Sequence, residues 1–180
     1  RHLAIEVDKP GKAEALLQFL RKHQPQAALV FCNLKATVML LDQTLSKAGV
    51  SASSLHGDLE QKDRDLVMAR LRNHSTRVLI ATDVAARGLD IDHLDVVVNY
   101  EMPFQPEIYV HRVGRTGRAG KAGLAVSFVS PNDKHKVNAI ETCLGMTLLR
   151  APLTVPDTSD THALAPMQTI YISGGRKDKI

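Results

Sequence analysis

Apolar residues fall into two alternating patterns along the chain. HLAIEV (2–7), AALVFCN (27–33), RVLIAT (77–82), VVVNYE (96–101) and GLAVSFVS (123–130) are short, mostly apolar and rich in branched residues. Such runs read as strands covered on both faces. Between them lie stretches whose apolar residues recur three and four apart. KAEALLQFLRKH (12–23) is one helix; in 34–49, Leu34, Val38, Leu41 and Leu45 share a face and Gly49 supplies a stop. Residues 60–73 and 133–144 give two more helices, 50–55 and 147–151 give short strands, and a segment opening at Pro103 and Pro106 follows the 96–101 run. This alternation predicts an α/β fold of three layers, with a mostly parallel sheet and helices on both faces. Ligand crevices in such sheets lie outside the carboxyl ends of the strands, so the loops after Cys32, Leu55, Thr82 and Tyr100 are the ones to watch.

This organisation spans residues 1–150 and then changes. Residues 151–165 carry prolines and small polar residues without helical period and read as a linker. Residues 166–180 hold one alternating strand, a Gly-Gly turn and a basic tail. A single strand cannot bury itself, so this segment reads as the start of another, truncated domain or as an edge strand added to the first.

Composition narrows the class. Of 180 residues, 44% are apolar and 23% charged, as in ordinary globular domains. No apolar run approaches the roughly 20 residues that cross a bilayer, and no leader pattern opens the chain, so a cytoplasmic protein without a membrane partner is expected. Cys32 and Cys143 stand alone, which indicates neither a disulfide framework nor a metal site; both are expected reduced and partly buried. A net charge of +4 permits a nucleic-acid partner without demanding one.

Four stretches carry candidate chemistry. In LIATDVAARGLD (79–90) a strand ends at Thr82, small residues Ala85, Ala86 and Gly88 allow close approach to a ligand, and Asp83, Arg87 and Asp90 project from the turn. The same residues also read as a plain loop in which Asp83 caps a helix and Arg87 pairs with Asp90. In HRVGRTGRAG (111–120) Arg112, Arg115 and Arg118 recur every third residue with glycines between. Planar, permanently charged guanidinium groups suit bidentate phosphate contact; a solvated basic helix end is the alternative, and the glycines speak against it. In SLHGDLEQKDRD (54–65), Gly57 precedes a helix start where free N–H groups favour an anion, and Gln61 and Arg64 share a face. Asp58 reads equally well as that helix's cap. VFCN (30–33) ends in Asn33 and is weak alone. No GxxxxGK[ST] phosphate loop occurs; Gly120-Lys121 fails on spacing and on Ala122.

Taken together, VFCN, QKDR, ATDVAARGLD and HRVGRTGRAG resemble motifs IV, IVa, V and VI of the C-terminal RecA-like domain of DEAD-box ATP-dependent RNA helicases, in order and in strand-loop placement over residues 1–150. LHGDLEQKDRD, the ATDVAARGLDI loop and YISGGRKDKI further resemble the bacterial ribosome-assembly members that end in an RRM-like RNA-binding module. The resemblance implies ATP and Mg²⁺ as cofactors of the full-length enzyme, with Mg²⁺ and the phosphate cradle held by an N-terminal RecA-like domain of the same chain. It implies duplex RNA as the substrate, with rRNA as a candidate, and a monomer. By the same resemblance Arg115 and Arg118 act as arginine fingers, Gly88 and Asp90 lie on the ribose side of ATP, and His111 and Arg112 couple the two domains. Gly57, Gln61, Arg64 and Thr82 form the RNA backbone track, supported by Asn33 and Arg87. The fragment alone is expected to be inactive, with Arg115 and Arg118 pointing into open solvent. The rival readings are a non-catalytic RNA-binding module that keeps the helicase fold and a DNA helicase of the same superfamily.

Overall fold

The computed structural model describes residues 1–89, 91, 94–117 and 123–151. The expected linker beyond Ala151 and the segment 166–180 lie outside the described residues. Seven strands, among the described residues, form one sheet: β1 (His2–Glu6), β2 (Ala28–Cys32), β3 (Ala52–Leu55), β4 (Val78–Thr82), β5 (Val96–Asn99), β6 (Leu124–Val129) and β7 (Leu149–Ala151). Their order is β3-β4-β2-β5-β6-β1-β7, and every pairing is parallel. The helices are α1 (Lys12–His23), α2 (Lys35–Lys47), α3 (Gln61–Arg72), α4 (Asp83–Ala86), α5 (Pro106–Val113) and α6 (Lys134–Leu144). The segment opening at the two prolines is therefore a helix, with Pro106 at its first position, where the missing N–H costs nothing.

Alternation of side chains along each strand builds two cores. Val30 and Cys32 face one side with Leu16 of α1 and Leu41 of α2, while Leu29 and Phe31 face the other with Met68 and Leu71 of α3. Ala4, Tyr109, Val137 and Ile140 extend the second side under α5 and α6. The chain runs from β1 through β2 to β3 toward one edge, with α1 and α2 on one face, and returns through β4, β5 and β6 to β7 with the later helices on the opposite face. A single handedness of crossover requires this division. Each fully buried Leu, Ile or Val contributes roughly 1.5–3 kcal/mol, and a one-residue slip of any strand would exchange its two faces. The carboxyl edge of the sheet is thereby fixed.

The cysteines differ from the expectation that both are partly buried. Cys32 is buried at the end of β2, and burial pushes its thiol pKa up; Cys143 is exposed on α6.

Candidate functional site

The loops after β2, β4 and β5 meet at the carboxyl edge through one side chain. Arg112 is only 1% exposed, yet its guanidinium has a partner for each of its five N–H groups. Nε and Nη2 hold the Asp83 carboxylate at 2.7 and 2.6 Å, which is a bidentate pair. Nη2 also donates to Asn33 Oδ1 at 2.8 Å, and Nη1 donates to Asn99 Oδ1 at 3.2 Å and to the Glu101 carbonyl at 2.8 Å. The guanidinium lies 5.1 Å from the centre of the Phe31 ring. A buried cation costs several kcal/mol unless it is paired and hydrogen-bonded, and here that requirement is met inside the domain. Any coupling that Arg112 makes to another domain would run through the residues it holds.

Asn33 shares in this closure. Its amide Nδ2 donates to the Met102 carbonyl at 3.0 Å and its backbone N–H donates to Glu101 Oε2 at 2.7 Å. Asn99, fully buried, passes the network to Ser127 Oγ on β6 at 3.1 Å. Sequence reasoning did not single out Asn99 or Glu101, nor the pairing of Asp83 with Arg112. The available signal was Asn99 itself, a polar residue closing a run of valines, because a buried amide needs partners.

The segment after β4 departs from the plain loop. Thr82, read as part of the RNA track, is the N-cap of α4, its Oγ1 accepting from Ala85 N–H at 3.3 Å. Asp83 does not cap; its carboxylate is committed to Arg112. Ala85 and Ala86 pack into the core below, so their small size serves the interior and not a ligand. Gly88, with φ +75°, closes the turn in a conformation that other residues adopt only with strain. Arg87 is exposed beside it. Arg64 Nη2 reaches across from α3 to the Ala85 carbonyl at 3.0 Å. Gln61, one turn earlier and exposed, donates to Asp65 Oδ1 at 2.8 Å.

Arg115 also differs from the expectation. It is half-buried, not directed into open solvent, and its Nη1 donates to the Leu89 carbonyl at 3.2 Å. His111 is exposed on α5. The close approach made by glycines here is internal: a Cβ on Gly123 would lie 2.3 Å from the Gly117 nitrogen. Asp90 and Arg118 lie outside the described residues. In the loop after β3, Gly57 is exposed, and Asp58 is not the cap expected of it; it pairs with Lys35 of α2, whose hydrogen bond lowers the Asp58 pKa, and Glu60 takes the N-cap position. His56 Nδ1 is buried without a hydrogen-bond partner among the described residues.

Chemically, the edge offers guanidinium groups from Arg64 and Arg115 bonded to carbonyls four residues apart, an arrangement that suits phosphate-bearing ligands. Among the described residues no three His, Cys, Asp or Glu side chains converge as a metal site, and no helix is long and apolar enough to cross a membrane.

Residues 11–120 match the helicase conserved C-terminal domain family. The ATP-dependent RNA helicase DbpA of Escherichia coli K12 is 47% identical over 176 residues, which cover 97% of this chain and 38% of that protein. The DEAD-box protein SrmB of E. coli, solved bound to the regulator of ribonuclease activity A, superposes with a TM-score of 0.80 at 31% identity, over 84% of this chain and 89% of that one. Dbp5 of S. cerevisiae, solved bound to RNA and ADP BeF3, gives 0.80 at 34% identity, over 86% of this chain and 42% of that one. The chain thus spans little more than a third of the full-length relative DbpA.

Proposed function

The chain belongs to the DEAD-box RNA helicases through their helicase conserved C-terminal domain, and on that premise we propose that it works as the ATP- and RNA-facing second half of an ATP-dependent RNA helicase. In the full-length protein the N-terminal RecA-like domain cradles the ATP phosphates and holds Mg²⁺. Arg115 and Arg118 reach the phosphates across the cleft, where positive charge stabilises the transferring phosphoryl group. Gly88 and Asp90 lie on the ribose side. Gly57, Gln61, Arg64 and Thr82 follow the RNA backbone, with Asn33 and Arg87 behind them. His111 contacts the metal-binding motif of the other domain, and Arg112 contributes by holding Asp83 and Asn33. Contacts to phosphate and sugar bind RNA without reading its sequence. The resemblance of LHGDLEQKDRD and YISGGRKDKI to ribosome-assembly members points to rRNA remodelling in the cytoplasm.

The observation that carries this reading is the shared segment after β4. The RNA-side Arg64 bonds to its Ala85 carbonyl and the ATP-side Arg115 to its Leu89 carbonyl, so the two candidate ligand contacts rest on one short stretch of backbone. Support also comes from Dbp5, a relative solved with both RNA and ADP BeF3. The test is RNA-stimulated ATP hydrolysis by the full-length protein. Arg115→Ala should lower turnover on the order of 10³-fold or more with unchanged circular dichroism. RNA binding without any turnover would favour the non-catalytic module, and stimulation by DNA in place of RNA would favour a DNA helicase.

A further inference from the structure

The five bonds of Arg112 end on three strand termini, and one of them continues toward the RNA side. Asp83, which takes two of those bonds, is the first residue of α4. That helix is four residues long. An isolated single turn does not hold itself together in water, because nucleation costs more than its one or two hydrogen bonds return. Its placement therefore depends on the Thr82 cap, on the buried Ala85 and Ala86, and on the Asp83 carboxylate clamped by Arg112. The Ala85 carbonyl at its end is the acceptor for Arg64.

Resting on the helicase reading above, we infer that Arg112 is a positioning residue for RNA. Through Asp83 it fixes α4, and α4 in turn aims the Arg64 guanidinium by way of the Ala85 carbonyl. A lysine would not substitute, since an ammonium has no planar fork with which to hold a carboxylate and two amides at once.

The test is a double-mutant cycle on the full-length protein, with a fluorescently labelled single-stranded oligouridylate as the probe and anisotropy as the readout. Arg64→Ala, Asp83→Asn and Arg112→Lys should each weaken binding about tenfold or more, the scale of losing one charge-assisted hydrogen bond to the ligand. Combining Asp83→Asn with Arg64→Ala should give no loss beyond Arg64→Ala alone, because both changes remove the same contact. If the two losses multiply, or if Asp83→Asn leaves binding unchanged, the positioning role is overturned. Asp83 is one-third exposed, so its variant keeps the test decisive should Arg112→Lys fail to fold. The helicase reading fails separately: wild-type protein that binds the oligonucleotide but shows no RNA-stimulated ATP hydrolysis contradicts that reading and leaves the cycle interpretable.

Discussion

Two buried cations sit on the same carboxyl edge of this sheet and are satisfied in different ways. At the centre, Arg112 spans the ends of β2, β4 and β5 with five bonds. Toward β1 and β6, Lys12 at the start of α1 donates to the Tyr100 and Phe128 carbonyls at 3.1 and 2.9 Å and lies 3.8 Å from Asp133. A cavity of about 340 Å³ is lined by Lys12 and Asp133 and by Asn33 and Glu101, two residues bonded to Arg112. The ammonium is a strongly hydrated point charge, and burial lowers the Lys12 pKa despite the opposing pull of Asp133 and Glu101. The guanidinium is planar and more weakly hydrated, which suits it to a junction of several elements. The comparison teaches that one edge holds two kinds of cation: Lys12 ties the frame together, and Arg112 ties the frame to the segment that carries the candidate ligand contacts.

The largest effect that would sharpen this contrast is Arg112→Met. It leaves Asn33, Asn99 and the Glu101 carbonyl without a donor and Asp83 without its cation, so a loss of about 3–5 kcal/mol in chemical denaturation is expected. Lys12→Met should cost less, about 1–3 kcal/mol, because Asp133 keeps Ser130 and Lys136 as partners and only two carbonyls lose a donor. RNA-stimulated ATP hydrolysis by the full-length protein should survive that change; an equal loss of RNA affinity in both variants would erase the distinction between the clusters.

The smallest effect concerns acid. Burial alone would raise the Asp133 pKa, but hydrogen bonds from Ser130 and Lys136 and the Lys12 charge outweigh it and hold the carboxyl at about 2, below its ordinary 3.8. A depressed folded-state pKa means that the contribution is complete above about pH 4 and is lost as the pH falls toward 2. Stability of Asp133→Asn should therefore fall less steeply than wild type across that window, measured by urea midpoints at each pH. Equal slopes would show that Asp133 contributes no such term.

Much of the candidate site was legible in the chain. The strand ends at Cys32, Leu55 and Thr82 were readable from apolar runs, and the placing of Asn33, Gly57 and Thr82 beyond or at those ends followed. What those side chains do there was not. Thr82 caps a helix, Asp58 pairs with Lys35, and Arg115 lies against Leu89, each choice depending on a neighbour that periodicity does not identify.

The sequence by itself determined the seven strands, the helices α1, α2, α3 and α6, and that both faces of the sheet are covered, because side-chain periods of two and of 3.6 are local properties of the backbone; α4 and α5 came from the structure. Only the tertiary structure decided the strand order and the fate of Arg112. Its partner Asn33 is 79 residues away and Asp83 is 29, and no local pattern can say which distant polar group will be close when a charge is buried. That pairing is set by the packing of the whole sheet, since only there does the cost of removing a guanidinium from water have to be met.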